Sequence, residues 1–142
     1  LIFIGGGVIA MEFSHVYARA GTKVTILEAV PQLLPRMDSD AVAAIQAESE
    51  RIGVTVKTGV NVKSIGQDGD RLTVTFEHDG AEQTLTADRV VNGAGRVANV
   101  DTLDLEAGNV THDGVAVAVD EYLRSTSNPS VWVCGDALVP SP

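Results

Sequence analysis

Three consecutive glycines near the start of the chain form the first segment whose residue types and spacing could do chemistry. In residues 5–10, Gly-Gly-Gly-Val-Ile-Ala, the pattern Gly-x-Gly-x-x-Ala follows a short apolar run and precedes a stretch with helical periodicity. In this strand–turn–helix context the pattern is a dinucleotide-binding fingerprint, with glycines for a tight turn and for close approach of a pyrophosphate. The start of a helix also supplies free N–H donors for an anion. The predicted pyrophosphate site comprises Gly5, Gly7, Val8, Ile9 and Ala10.

Glu28 is the second candidate site residue, and it ends the next predicted strand, about twenty residues after the glycines. A carboxylate at this position accepts hydrogen bonds from the adenosine ribose hydroxyls and repels the 2′-phosphate of NADP(H). Residues 29–34 contain no Arg or Lys that could receive that phosphate, and Arg36 is the first cation. The sequence therefore favours NAD(H) over NADP(H). The alternative is that Glu28 is a solvated carboxylate at a strand end.

The elements that must position these residues alternate between strand and helix. Apolar periodicity predicts them at residues 1–4, 8–20, 23–28, 38–52 and 54–57. Asp38 or Ser39 can cap the second helix, and its predicted inner face comprises Ala41, Ala44, Ile45 and Ile52. The order β-α-β-α-β predicts a Rossmann-type α/β fold with a parallel sheet.

The pattern changes after the third strand. Three strand-like runs at residues 60–65, 71–77 and 82–86 are separated by segments with Asp-Gly turn chemistry. We expect a three-stranded antiparallel meander in place of a third crossover helix, followed by a return to the parallel sheet at residues 89–92. In the tail, residues 115–119 and 131–134 are predicted strands, the second with Trp132 and Cys134 packed inside.

Composition excludes several classes of function. The 142 residues are 44% hydrophobic and 20% charged, which suits a globular domain. A formal net charge of −9 argues against binding to nucleic acid, which needs clusters of Lys and Arg. No apolar run is long enough for a membrane span and no signal sequence is recognised, so a cytoplasmic location is expected. The three histidines are scattered, and no metal site is predicted.

Residues 5–13 resemble the nucleotide-domain signature of the FAD-dependent pyridine nucleotide-disulfide oxidoreductases, the family of lipoamide dehydrogenase, glutathione reductase and mercuric reductase. Three further segments match in order: residues 33–38 (Leu-Leu-Pro-Arg-Met-Asp), 95–99 (Gly-Arg-Val-Ala-Asn) and 131–137 (Val-Trp-Val-Cys-Gly-Asp-Ala). The resemblance implies an NAD-binding domain at residues 1–114. Residues 115–142 would then be a strand segment that returns toward the FAD domain of a parent protein.

The resemblance also implies roles for single residues. Glu12 corresponds to a glutamate that reaches the nicotinamide end of the cofactor near the flavin, with an exposed helix residue as the alternative. Gly95 corresponds to a glycine beside the nicotinamide ribose. Asp136 corresponds to the aspartate that binds the ribityl chain of FAD, with a plain Gly-Asp turn as the alternative. In a homodimeric parent, NADH would pass a hydride to FAD.

Several features of that family are missing, and they shape the functional hypothesis. The chain starts within a strand without Met, has no second Gly-rich motif for FAD and has no pair of redox cysteines; Ala98 stands where the family usually has proline. We therefore expect an excised piece of a longer protein that binds NAD(H) but has no catalytic residue and no activity alone. The alternatives are a regulatory NAD-sensing nucleotide-binding module and a small self-sufficient dehydrogenase.

Overall fold

The computed structural model describes residues 1–112 and 116–138, apart from the side chain at position 136. Its elements in chain order are β1 (Ile2–Ile4), α1 (Val8–Arg19), β2 (Val24–Leu27), α2 (Ser39–Arg51), β3 (Val54–Lys57), β4 (Asn61–Asp68), β5 (Arg71–His78), β6 (Ala81–Ala87), β7 (Val90–Asn92) and a short 3₁₀ helix (Gly135–Ala137). The chain divides into two compact units, Leu1–Gly95 and Arg96–Pro142. No helix in the described part is both long and apolar enough to cross a membrane.

The first unit contains two sheets. Four strands in the order β3-β2-β1-β7 form a parallel sheet, and β4-β5-β6 form an antiparallel meander. Parallel neighbours need crossover connections, which α1, α2 and the meander supply. The predicted α/β fold with a meander in place of a helix is confirmed.

Alternation along the strands explains how three layers pack in this unit. Successive side chains of a strand point to opposite faces of the sheet. Phe3 therefore joins a core cluster with helix residues such as Ala10 and Val42. Its neighbour Ile2 joins a second cluster with Val74 and other meander residues. The parallel sheet is thus covered by helices on one face and by the meander on the other.

The inner face of α2 differs from the prediction. Val42 and Ser49 are buried and Ile45 and Ile52 are partly buried, at spacings of three and four residues that follow one helical face. The residues Ala41 and Ala44 are exposed, so their assignment to the inner face was wrong. Alanine is a strong helix former on any face, and its presence does not indicate which side meets the core.

The predicted strands in the tail were also wrong, as far as the described residues go. Among its described residues the second unit has isolated bridges, such as Val119 with Ser125 and Arg124 with Trp132, and no continuous strand ladder. Val133 is buried, but Trp132 is 62% exposed and Cys134 is exposed, so neither is packed inside. The segment alternates as a strand does but has no continuous ladder partner. The sequence predicts that residues 1–114 bind NAD and that residues 115–142 return toward an FAD domain. This division concerns cofactor binding, which packing does not test, so it stays a prediction.

Candidate functional site

A cleft of about 560 Å³ lies at the carboxyl ends of β1, β2 and β7, within the first unit. Ligands of open parallel sheets bind in the crevice beyond these strand ends. Its lining residues are Ile4, Gly5, Gly7, Leu27, Glu28, Ala29, Val30, Pro35, Arg36, Val60, Asn61, Val62, Gly93, Ala94 and Gly95. Glu28 and Arg36 are the charged residues of this lining. Asn61 is the neutral polar side chain of the lining, and the other lining residues are glycine or apolar, so main-chain groups supply much of the polar chemistry of the cleft.

Two glycine turns meet at the base of the cleft. The N–H of Gly5 donates to the carbonyl of Leu27 at 2.8 Å, and the N–H of Gly93 donates to the carbonyl of Ile4 at 2.7 Å. Gly5 has φ +95°, a conformation that a residue with a side chain adopts only under strain. These bonds connect the ends of β1, β2 and β7 and hold both turns in one place.

The N-terminus of α1 faces the cleft at Gly7, which is the N-cap residue of the helix. In this fully described turn, no side chain caps the helix end by a hydrogen bond and no residue is acidic. The first N–H groups of a helix have no partner inside the helix. A Cβ built on Gly7 would meet no atom within 4 Å, so the space beside these donors is open. The arrangement suits an anionic group such as a phosphate.

Glu28 is 8% exposed, and its carboxylate rests on backbone donors. One oxygen, Oε2, accepts a hydrogen bond from the N–H of Gly6, and the other, Oε1, accepts from the N–H of Val30 at 3.0 Å. A carboxylate has about four acceptor sites, so both oxygens keep capacity for further donors. The backbone of Glu28 is fixed as well, because its N–H donates to Lys57 and its carbonyl accepts from Val60.

The loop after β2 packs onto the glycine turn. The N–H of Leu34 donates to the carbonyl of Gly6 at 2.9 Å, and Leu33 is fully buried in the core cluster beneath the helices. Gly6, Leu33 and Gly93 were not among the predicted site residues. The apolar pair Leu33-Leu34 in a loop with two prolines was the available signal, because two adjacent leucines in such a loop indicate an anchored segment.

Among the predicted site residues, the structure brings Gly5, Gly7, Glu28 and Gly95 to the cleft lining. The side chains of Val8 and Ile9, at the start of α1, are half exposed, whereas Ala10 is buried against the sheet.

Two predicted residues lie elsewhere. Glu12 is exposed on α1 and does not line the cleft. Asp136 is in the 3₁₀ helix of the second unit, and its side chain lies outside the described residues. The cofactor contacts assigned to Glu12 and Asp136 stay predictions.

Comparison with known sequences places this geometry in context. A family model described as pyridine nucleotide-disulphide oxidoreductase matches residues 1–142. The dihydrolipoyl dehydrogenase of Geobacillus stearothermophilus is 38% identical over 144 residues, covering 100% of this chain and 30% of the relative. That of Mycobacterium tuberculosis H37Rv is 37% identical over 137 residues, covering 96% of this chain and 29% of the relative. The chain thus spans less than a third of the length of these relatives.

Solved structures give the same picture. The Cu(II) complex of the HOCl-induced flavoprotein disulfide reductase RclA from Escherichia coli has a TM-score of 0.82 and 32% identity, over 96% of this chain and 30% of that one. The water-forming NADH oxidase from Lactobacillus brevis, bound to NADH, has a TM-score of 0.80 and 28% identity, over 96% and 29%. A mutant of that oxidase, engineered to be an NADPH oxidase and bound to NADPH, has a TM-score of 0.80 and 27% identity over the same shares.

The substitutions in the engineered oxidase have a defined spacing. The first replaces Gly by Ala. Those that follow, eighteen, nineteen, twenty and twenty-five residues further on, replace Asp by Ala, Ala by Arg, Met by Ser and Pro by Arg.

Proposed function

The chain belongs to the pyridine nucleotide-disulfide oxidoreductase family, and from this premise we propose that the cleft of its first unit binds NADH. The observation that carries the proposal is the placement of Glu28, a nearly buried carboxylate held at the rim of a cleft that begins with an uncapped helix N-terminus. In the complete protein, the unit would hold the nicotinamide for hydride transfer to FAD.

The residues of the cleft fit the parts of a dinucleotide. The open N–H groups at the start of α1 would receive the pyrophosphate, since Gly7 has no side chain to block it. The spare acceptor sites of Glu28 would receive the hydroxyls of the adenosine ribose. The glycine turn at Gly93–Gly95 would lie beside the nicotinamide half. NADH supplies the hydride chemistry when bound, and the chain supplies binding and orientation.

The choice of NADH over NADPH is supported by the two Lactobacillus oxidase structures. Matching Ala10, the last residue of the Gly-x-Gly-x-x-Ala pattern, to the first substituted position puts the four later substitutions at Glu28, Ala29, Val30 and Pro35. At that first position this chain has Ala, as the engineered oxidase has. Three of the later positions carry an acid, Ala and Pro, as the parent NADH oxidase does at that spacing. At three of the four later positions the chain therefore resembles the parent NADH oxidase, and Glu28 would repel a 2′-phosphate.

The outer face of α1 is apolar and exposed, and it supports the proposal of a partner domain. Ile9, Phe13, Val16 and Tyr17 lie on the side of the helix away from the sheet, and all are at least 42% exposed. A helix that is apolar on both faces is typical of a buried position. We assign this α1 outer face, defined by these four residues, to contact with the proposed FAD domain of the same polypeptide. A homodimer of the parent stays a prediction.

The regulatory alternative is less well supported. A nucleotide-sensing module would share the glycine turn and Glu28, but the match to the oxidoreductase family covers residues 1–142, including the meander and the second unit. An oxidoreductase role also gives the exposed face of α1 a partner. We therefore favour the oxidoreductase.

Titration of the 142-residue chain with NADH and with NADPH tests the proposal. The nicotinamide fluorescence of each nucleotide reports binding, and we expect NADH to bind at least about tenfold more tightly, a difference of about 1.4 kcal/mol. Glu28→Ala should weaken NADH binding by about tenfold, because a charge-assisted hydrogen bond contributes roughly 1.5–3 kcal/mol. Glu82→Ala, an exposed acid on β6, is the matched control. Absence of NADH binding would exclude the proposal, and equal affinity for both nucleotides would exclude the role of Glu28.

A further inference from the structure

Asn92 is the last residue of β7, and its side chain bonds to the turn that follows. Its Oδ1 accepts a hydrogen bond from the N–H of Ala94 at 3.1 Å. An Asn side chain that accepts from the backbone two residues further on forms an Asx turn, which holds the chain as a backbone turn does. Asn92 is exposed, so burial does not require the bond, because water could satisfy the amide instead. What the bond contributes is therefore an ordered turn.

The ordered turn is the segment Gly93–Gly95, and all three of its residues line the cleft. It contains two glycines, which lose more backbone freedom on ordering than any other residue type. At its start, the N–H of Gly93 donates to the carbonyl of Ile4 at 2.7 Å. The bond from Ala94 to Asn92 extends this order to the second residue of the turn. Asn92 is not itself a lining residue, so it acts through the turn.

Gly95 is the residue of this turn with open space beside it. Its φ is +105°, a conformation that favours glycine, and a Cβ built on it would meet no atom within 4 Å. The turn therefore brings bare backbone to the edge of open space in the cleft. The position of that backbone follows from the conformation of Ala94, which the bond to Asn92 restrains.

We infer that Asn92 is a positioning residue for the nicotinamide half of NADH. The inference rests on the proposed function, in which this turn lies beside that half of the cofactor. A turn that is ordered before binding spares the complex the entropic cost of ordering a glycine-rich segment. The pyrophosphate and the adenosine ribose are assigned to the start of α1 and to Glu28. Loss of the Asn92 bond therefore weakens the hold on the nicotinamide half alone.

ADP separates the two halves of the cofactor, because it carries the adenosine and both phosphates of NADH but neither the nicotinamide nor its ribose. Calorimetric titration of the 142-residue chain measures the dissociation constants of NADH and ADP. Asn92→Ala removes the acceptor, and we expect its dissociation constant for NADH to rise about three- to tenfold, the range that one neutral hydrogen bond contributes. Its dissociation constant for ADP should not change.

Gln67→Ala is the matched control. The side-chain amide of Gln67 donates from Nε2 to the carbonyl of Gly69 at 3.0 Å, in the turn between β4 and β5. The substitution thus removes the same kind of bond, between a side-chain amide and a turn, outside the lining of the cleft. It should leave the binding of both ligands unchanged.

Asn92→Asp separates the role of Oδ1 from that of the amide nitrogen. Aspartate keeps an oxygen that can accept from the N–H of Ala94, but it has no Nδ2 donor. Titration at high salt screens the added negative charge from the anionic ligand. NADH binding close to that of the unmodified chain supports the inference. Binding as weak as that of Asn92→Ala would overturn it, because Oδ1 would then not be the group that matters.

Two further results would overturn the inference. One is an unchanged dissociation constant for NADH in Asn92→Ala. The other is an equal loss of NADH and ADP binding in that variant, which would show general damage to the cleft. Circular dichroism and thermal unfolding confirm that each variant is folded before it is titrated. If the unmodified chain does not bind NADH, the proposed function itself is excluded.

Discussion

A methyl group added to Gly5 would lie 2.5 Å from the carbonyl oxygen of Gly93, which is closer than the two atoms can come without moving the backbone. The two glycines connect the turn after β1 to the turn after β7, and both turns line the cleft. Gly5 also has φ +95°, which adds backbone strain for any residue with a side chain. The fold of the first unit and the shape of the cleft therefore both depend on the close approach of Gly5 to Gly93.

Gly5→Ala should be among the most damaging single substitutions in the first unit. Left-handed strain contributes roughly 1–3 kcal/mol, and the overlap with Gly93 contributes roughly another 1–3 kcal/mol. Urea denaturation of the 142-residue chain measures the loss. Gly53→Ala is the matched control, because Gly53 has φ +92° but a Cβ there meets no atom within 4 Å. It should show the strain alone. Equal losses in both variants would show that the contact with Gly93 is unimportant.

Substitutions at the adenosine end of the cleft should reverse the cofactor preference. The combined variant Glu28→Ala/Ala29→Arg/Pro35→Arg removes the acid and adds two cations at the positions that match the engineered NADPH oxidase by spacing. We expect the tighter ligand to change from NADH to NADPH, since each charge-assisted bond to a phosphate contributes roughly 1.5–3 kcal/mol. Nucleotide titration at low and high salt measures it, because the new attraction is screened.

Glu28→Ala without the two arginines is the control for this switch. It should lose NADH affinity and gain only a little for NADPH, since Arg36 is then the cation of the lining. If the combined variant still prefers NADH, the adenosine ribose does not lie beside Glu28, and the orientation proposed for the cofactor is wrong.

A surface ion pair between the two helices should make stability depend on pH in the acid range. Glu48 of α2 accepts from Arg51 Nε at 2.6 Å and from Arg19 of α1 at 3.2 Å. The hydrogen bond from Arg51 holds the pKa of Glu48 below the ordinary glutamate value of 4.5. A carboxyl group with a lowered pKa stabilises the folded state above its unfolded pKa, and this contribution is lost as the pH falls through the folded pKa.

Glu48→Gln should therefore lower the free energy of unfolding near pH 7, and the difference from the unmodified chain should shrink as the pH falls through the lowered pKa of Glu48. Urea denaturation across this range measures the effect, which is small because both partners are exposed to solvent. Glu82→Gln on β6 controls for the removal of one acidic group from a chain with net charge −9. A difference that is constant with pH would contradict the role of the ion pair.

The parts of this fold that are local in the chain could be predicted from the sequence. The strand–helix alternation follows from apolar periodicity, and the hairpin at Asp79-Gly80, where both residues have positive φ, follows from its turn residues. The contacts of Gly6 could not be predicted, because Glu28 is twenty-two residues away and meets it only once β1 and β2 are paired. The tail was misjudged because alternation predicts an extended chain but not a partner strand.

The α1 outer face should be tolerant to polar substitution in the chain alone. Phe13→Ser/Val16→Ser replaces two side chains that are 49% and 61% exposed, and such surface changes usually alter stability by no more than about 0.5 kcal/mol. In the complete protein the same variant should cost several times more, because burying a large apolar side chain against a partner contributes about 1.5–3 kcal/mol. Urea denaturation of the 142-residue chain and of the complete protein compares the two losses.

Ile65→Ser, at an exposed apolar residue of β4, is the control and should be mild in both. A loss above about 1 kcal/mol in the 142-residue chain would mean that the face already packs within it. Equal tolerance in the complete protein would mean that no FAD domain covers it.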